Sequence, residues 1–127
     1  EMARLTGYDL ATVQANRIDV ATESASKWDC VVALKGAYTI VAAPDGHAVI
    51  MPFASDALAT AGAGDVLAGT IAGMVAQGLP PFESAVIGAY VHGLAGILTA
   101  RAMPSRSVLA GDILHHLGPA FSQLEGW

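Results

Sequence analysis

Residues 59–69 read Ala-Thr-Ala-Gly-Ala-Gly-Asp-Val-Leu-Ala-Gly. Gly62 and Gly64 allow backbone angles closed to residues that carry a side chain. The apolar run from Val66 predicts a helix, whose first turn offers unpaired N–H groups and the positive end of the helix dipole. A glycine turn followed by such a helix holds an anion without any cationic side chain. Other glycine-loop patterns fail. A dinucleotide fingerprint needs glycine where this chain has Leu67, and a P-loop needs lysine where it has Asp65. An aspartate inside a phosphate cradle repels phosphate unless it has a task. One task is to take the proton of a substrate hydroxyl as that hydroxyl attacks a terminal phosphate. The other reading is structural: Asp65 supports the first turn of the helix. Spacing leaves both open.

A second candidate is Lys35-Gly36-Ala37-Tyr38-Thr39, which follows the apolar run Cys30–Leu34. The end of a buried strand is where α/β proteins place ligand contacts, so Lys35 could reach a nucleotide phosphate while the turn shapes an adenosine pocket. A surface lysine at a strand end is the plainer reading. His92, in Ala89-Tyr90-Val91-His92-Gly93, is expected to be a buried, hydrogen-bonded helix histidine. Glu83 and Asp112 read as helix-start acids, and Cys30 as a buried small hydrophobe. His115 and His116 are adjacent and diverge on a helix, so no metal site is expected.

The composition narrows the partners. A formal net charge of −5 with only six Lys and Arg, scattered along the chain, excludes a basic nucleic-acid-binding stripe. Phosphate must therefore be held locally, by backbone N–H groups and one or two cations. A single cysteine forms no intrachain disulfide, which fits a cytoplasmic protein. The first residues, Glu1-Met2-Ala3-Arg4-Leu5, carry no leader-like apolar core and start as if within a helix, the look of a piece of a larger protein.

These residues need a scaffold. A helix is predicted from Asp9 to about Asp29, with Leu10, Val13, Ile18, Ala21 and Trp28 on its apolar face. Cys30–Leu34 reads as a buried strand of a parallel sheet. Strands at 38–43 and 48–51 form a hairpin around Pro44-Asp45-Gly46. Helices follow from Asp65 to Gln77, from Phe82 to about Ala102, and from Leu109 to about Leu117, the last ended by Gly118-Pro119. The element order reads as α/β or α+β, with one antiparallel excursion on a sheet and too few strands for a full doubly wound sheet.

No charge occurs from Val66 to Phe82 or from Ser84 to Ala100, so a membrane hairpin has to be weighed. Gln77, His92 and Thr99 interrupt these runs and no Lys or Arg flanks anchor them. Burial in a core or a subunit interface explains the pattern better, with Gly69, Ala72, Gly73 and Ala76 as a small stripe and Leu67, Ile71, Met74 and Val75 as a larger one.

The run Ala57–Gly96 resembles the signature of the ADP/ATP-dependent NAD(P)H-hydrate dehydratases, a branch of the ribokinase-like superfamily. Leu34–Gly46 resembles that family's nucleotide-binding strand, turn and hairpin. Glu1–Gly7 resembles the segment after its Pro-His-x-Gly-Glu motif, and Val108–Phe121 its C-terminal helix. The resemblance implies that 1–127 is the C-terminal portion of one ribokinase-like nucleotide-binding domain, of α/β class, with a partial Rossmann-like sheet, a β-hairpin and a C-terminal run of packed helices. It implies an anion hole at Gly62, Ala63 and Gly64, nucleotide contacts at Lys35, Gly36, Ala37, Tyr38, Thr39 and Gly64, and a catalytic, substrate-contacting base at Asp65. ADP or ATP with Mg²⁺ bridging its phosphates, and NAD(P)HX, are the implied ligands. The expected setting is cytoplasmic, with no nucleic acid and no membrane, as a homo-oligomer or packed on an N-terminal half. The family usually has Thr or Ser at position 63, where Ala63 is closer to the sugar and vitamin kinases of the superfamily, and Asn-Pro where this chain has Ser55-Asp56. The alternatives are a small-molecule kinase of that superfamily and a non-catalytic interaction half-domain.

Overall fold

The computed structural model describes residues 1–125. Helices α1 (Met2–Thr6), α2 (Leu10–Ala15) and α3 (Arg17–Trp28) lead into strands β1 (Val32–Leu34), β2 (Ile40–Ala42) and β3 (Ala48–Ile50). Helices α4 (Ala63–Ala76), α5 (Pro81–Ala102) and α6 (Ala110–Glu125) follow.

The helix predicted from Asp9 to Asp29 is two helices. Asp9 caps the first, its carboxylate accepting from the Thr12 N–H at 2.7 Å. Asn16 ends it with φ −127°, and its side-chain amide donates to the Thr12 carbonyl at 3.1 Å. Such local side-chain bonds compete with the helix ladder. The break re-phases the apolar face: Val13 and Ala21 are buried, whereas Leu10 and Ile18 are exposed.

The sheet has the order β1-β2-β3 and is antiparallel throughout, with Val32 opposite Ala42 and Ile40 opposite Ile50. The parallel placement expected for the first strand is therefore corrected. A continuous apolar run marks burial, and β2 is fully buried, but it does not encode direction. β1 also starts later than expected. Asp29 takes a left-handed conformation at φ 50°, and Cys30 is exposed rather than buried. The hairpin appears as predicted.

Two cores result. Val13, Val20, Ala21 and Ala25 pack on Val32, Leu34 and Ile40 below the sheet. The larger helical core joins α4, α5 and α6 around Val91, Ala95, Ile113 and Ala120. Helix α6 does not stop at Gly118-Pro119. Proline removes one helix hydrogen bond at a cost of roughly 3 kcal/mol, but Ala120, Phe121 and Leu124 beyond it pack into this core. Helix α4 buries only one side. Leu67 and Thr70 face inward, while Gly69, Ala72, Val75 and Ala76 are exposed, so the small stripe is open surface among the described residues. Helix α5 is long and apolar enough to cross a membrane by length and composition, and half of its apolar window is buried in the fold.

Candidate functional site

Gly62 starts α4 with φ +85°, a conformation favourable only to glycine. A β-carbon there would also crowd the Ala110 methyl, at 3.1 Å. The Ala63 N–H donates to the Thr60 carbonyl at 3.2 Å and the Asp65 N–H to the Gly62 carbonyl at 3.1 Å. The Gly62 and Gly64 N–H groups have no protein acceptor among the described residues. Of the three residues expected to form an anion hole, two thus keep open donors and Ala63 spends its own on the turn. The Asp65 carboxylate makes no hydrogen bond or ion pair among the described residues and is exposed in the first turn. It does not cap α4, a place Gly62 holds.

The second candidate meets the first in space. β1 delivers Lys35, and Arg17 fixes the strand end by donating from Nη2 to the Leu34 carbonyl at 3.2 Å. Gly36, with φ +144°, lets that guanidinium approach; a β-carbon there would lie 2.7 Å from Arg17 Nη1. Thr39 closes the turn, its hydroxyl donating to the Gly36 carbonyl at 3.0 Å. The Lys35 ammonium then reaches across to α4, 3.0 Å from where a Gly64 β-carbon would stand, and pairs with Glu1 at 3.3 Å. That pair holds the Glu1 carboxyl below its usual range.

A cleft of about 800 Å³ lies between the two segments. Lys35, Gly36, Ala37 and Thr39 line one side, and Gly62, Ala63, Gly64 and Asp65 another. Tyr38 is the exception. It is exposed, has φ 55°, hydrogen-bonds through its N–H to the Phe53 carbonyl at 2.8 Å, and stands outside the cleft lining.

The sequence reading missed the remaining wall. Phe53, Ser55, Asp56, Leu58 and Thr60 line the cleft from the connection after β3. Phe53 meets Tyr90 edge to face at a centroid distance of 5.0 Å. A β-carbon on Gly93 would collide with the Phe53 ring, and one on Gly96 with Leu58. The glycines spaced three apart on α5 were the available signal for this close approach. His92 also lines the cleft, from beneath the loop. It is buried as expected, but the expected hydrogen bond is missing: its Nε2 has no partner among the described residues.

The other polar candidates are structural. Asp112 reaches back to accept from the Leu109 N–H at 2.9 Å and so starts α6. His116 Nδ1 sits 2.8 Å from the Asp112 carbonyl and 3.1 Å from the Thr99 hydroxyl, joining α6 to α5. Among the described residues, no group of three His, Cys, Asp or Glu side chains could hold a metal ion.

An open anion-binding turn, one ammonium and one free carboxylate at a single cleft can bind a phosphate chain and accept a proton beside it. Residues 1–118 match the Carb_kinase family, described as NAD(P)H-hydrate dehydratase. The chain is 46% identical over 125 residues to a bifunctional NAD(P)H-hydrate repair enzyme Nnr of Moorella thermoacetica, covering 98% of this chain and 24% of that protein. It is 41% identical over 114 residues to an ADP-dependent (S)-NAD(P)H-hydrate dehydratase of Neisseria meningitidis, covering 89% of this chain and 38% of the relative. The fold superposes on a Bacillus subtilis ADP/ATP-dependent NAD(P)H-hydrate dehydratase, co-crystallised with ATP/Mg²⁺, with a TM-score of 0.91 at 30% identity, over 95% of this chain and 44% of that one. The chain thus spans a quarter to under a half of the length of these relatives. With its ribokinase-like architecture and this cleft, the chain belongs to the NAD(P)H-hydrate dehydratase family.

Proposed function

We propose that these residues form the nucleotide-binding, C-terminal portion of a domain that repairs hydrated NAD(P)H at the expense of ADP or ATP. The observation that carries this reading is the meeting of Lys35, the open N–H groups of Gly62 and Gly64, and the unpaired Asp65 carboxylate at one cleft. Lys35 and the two N–H groups would hold the phosphate that is transferred, with Gly36, Ala37 and Thr39 against the nucleoside side of the cleft. Asp65 would contact the substrate and take the proton of the ring hydroxyl as its oxygen attacks that phosphate. The phosphoanhydride bond breaks and AMP or ADP departs. The ring nitrogen lone pair then expels phosphate, and loss of a proton from the neighbouring carbon restores the dihydropyridine.

Mg²⁺ fits the site only as a companion of the nucleotide. Asp56 and Asp65 are the two carboxylates lining the cleft, fewer ligands than a protein-held magnesium needs without phosphate oxygens. Bound there with the nucleotide, it would neutralise charge on the phosphates. Helix α5 is read as a core helix and not as a membrane span, because Gly93 and Gly96 seat it against Phe53 and Leu58. The reading places the protein in the cytoplasm, free of nucleic acid. The exposed stripe of α4 is compatible with a covering by the rest of the domain or by a second copy.

The test uses the longer protein that contains this chain, supplied with hydrated NADH and ADP. Return of the reduced-nicotinamide absorbance, with AMP and phosphate released in equal amounts, is expected. A stable phosphorylated product without that absorbance would identify a small-molecule kinase. Absence of ADP binding would identify a non-catalytic module.

A further inference from the structure

The His92 ring is the one buried polar group at the cleft that the proposed chemistry leaves unused. It is 7% exposed, lies on α5 directly behind the loop, and contributes to the cleft wall. Its Nε2 is buried without a hydrogen-bond partner. An unmade buried hydrogen bond costs roughly 1–3 kcal/mol, and each such group in a native structure calls for an explanation, a role in function among them. The Ala63 backbone acts on the ring in the sense of a carbonyl acceptor, favouring its protonated form, although no formed hydrogen bond joins the two residues among the described ones. Burial dominates and pushes the His92 pKa below its usual 6.5, which leaves the ring neutral near pH 7, with one N–H to donate.

Ala63 sits between the two glycines whose N–H groups are open, and its own N–H is tied to Thr60. Its carbonyl is therefore the handle through which a buried neighbour can set the pose of the whole turn. A carbonyl has two lone pairs, so it can accept from a side chain while serving the helix ladder.

We propose that His92 is a positioning residue: its Nε2–H donates to the Ala63 carbonyl when the loop closes on phosphate, and so aims the Gly64 N–H and the Asp65 carboxylate at the same phosphoryl group. The assignment rests on the phosphoryl-transfer reading of this cleft. Neutrality of the ring matters in this role, because it fixes the turn without competing with Lys35 for phosphate. Gly93, next in sequence, admits the Phe53 ring against this part of α5.

The test compares His92→Leu and His92→Gln in the longer active protein. Glutamine places an amide N–H near the position of Nε2, and leucine removes the donor while filling the space. His92→Leu is expected to lower kcat about ten- to a hundredfold, the scale of a misaimed reacting group, with KM for ADP changed less than about threefold. His92→Gln is expected to recover most of the loss. Equal defects in both variants, or full kcat in the leucine variant, would overturn the proposal. Nitrogen NMR of the imidazole in the unsubstituted protein decides the case if a variant does not fold. The neutral Nε2–H form, with its proton protected from exchange once ADP is bound, is expected; an Nδ1–H form, or a proton that stays unprotected, refutes it. This readout needs no turnover, so an Nε2–H that becomes protected in a protein lacking dehydratase activity would fail the proposed reaction and not the assignment of His92.

Discussion

The Lys35 ammonium stands 3.0 Å from the point that a β-carbon on Gly64 would occupy. Two segments separated in sequence by the whole β-hairpin thus share one contact, and glycine at 64 is what permits it. A hydrogen bond to a charged group contributes about 1.5–3 kcal/mol, so Lys35→Ala should weaken ADP binding about ten- to a hundredfold. Gly64→Ala should weaken it as well with Lys35 intact, because the new methyl displaces the ammonium. Calorimetric titration with ADP checks both, and unchanged affinity in either variant would remove Lys35 from the phosphate site.

Under the proposed function, Asp65 separates binding from chemistry. Its carboxylate has no partner among the described residues and does not cap α4, so Asp65→Asn should leave the fold and the ADP affinity nearly unchanged. General-base catalysis is worth about 10²–10⁴ in rate, and turnover should fall by that factor. Retained turnover in the asparagine variant, measured on the longer protein, would reduce Asp65 to a helix-start acid.

Features fixed by nearest neighbours were legible in the sequence. The Pro44-Asp45-Gly46 turn, the glycine start of α4 and the Pro81 start of α5 each follow from backbone chemistry within a few residues. Features decided by distant packing were not. Pro119 lies inside α6 because Ala120 and Phe121 reach a core assembled from other helices. Antiparallel β1 depends on which neighbour it finds, which its composition does not state. The site divided in the same way. Gly62 to Asp65 stood out as a candidate by residue type and spacing, which left cap and base open for Asp65, whereas Phe53 and Leu58 joined the cleft through the close seat of α5.

The glycines of the helices make two opposite stability predictions. A β-carbon on Gly96 would collide with Leu58, and overpacking of this kind costs about 1–3 kcal/mol. Gly69 on α4 is exposed with nothing within 4 Å of an added β-carbon. Gly69→Ala should therefore stabilise, by about 0.5–1 kcal/mol from helix propensity. Urea unfolding of the two variants checks the pair, and the contrast fails if both move the midpoint in the same direction.

The hairpin turn carries a pH-dependent pair that reports on its own geometry. His47 Nδ1 lies 2.9 Å from Asp45 Oδ2, and the His47 N–H donates to Asp45 Oδ1 at 3.1 Å. The hydrogen bond to Asp45 raises the His47 pKa above its usual 6.5, and the same bond lowers that of Asp45 below 3.8. The raised histidine contributes fully below 6.5, and its contribution is lost as pH rises through the folded value. The lowered aspartate contributes above 3.8, and its contribution is lost as pH falls through the folded value. The pair therefore supports the turn most between these limits, and both groups are exposed, so salt should weaken it. Titration of the His47 ring by NMR should show a midpoint above 6.5 that returns toward 6.5 in Asp45→Asn and in high salt. Identical midpoints in the two proteins would mean that the side chains do not meet in solution.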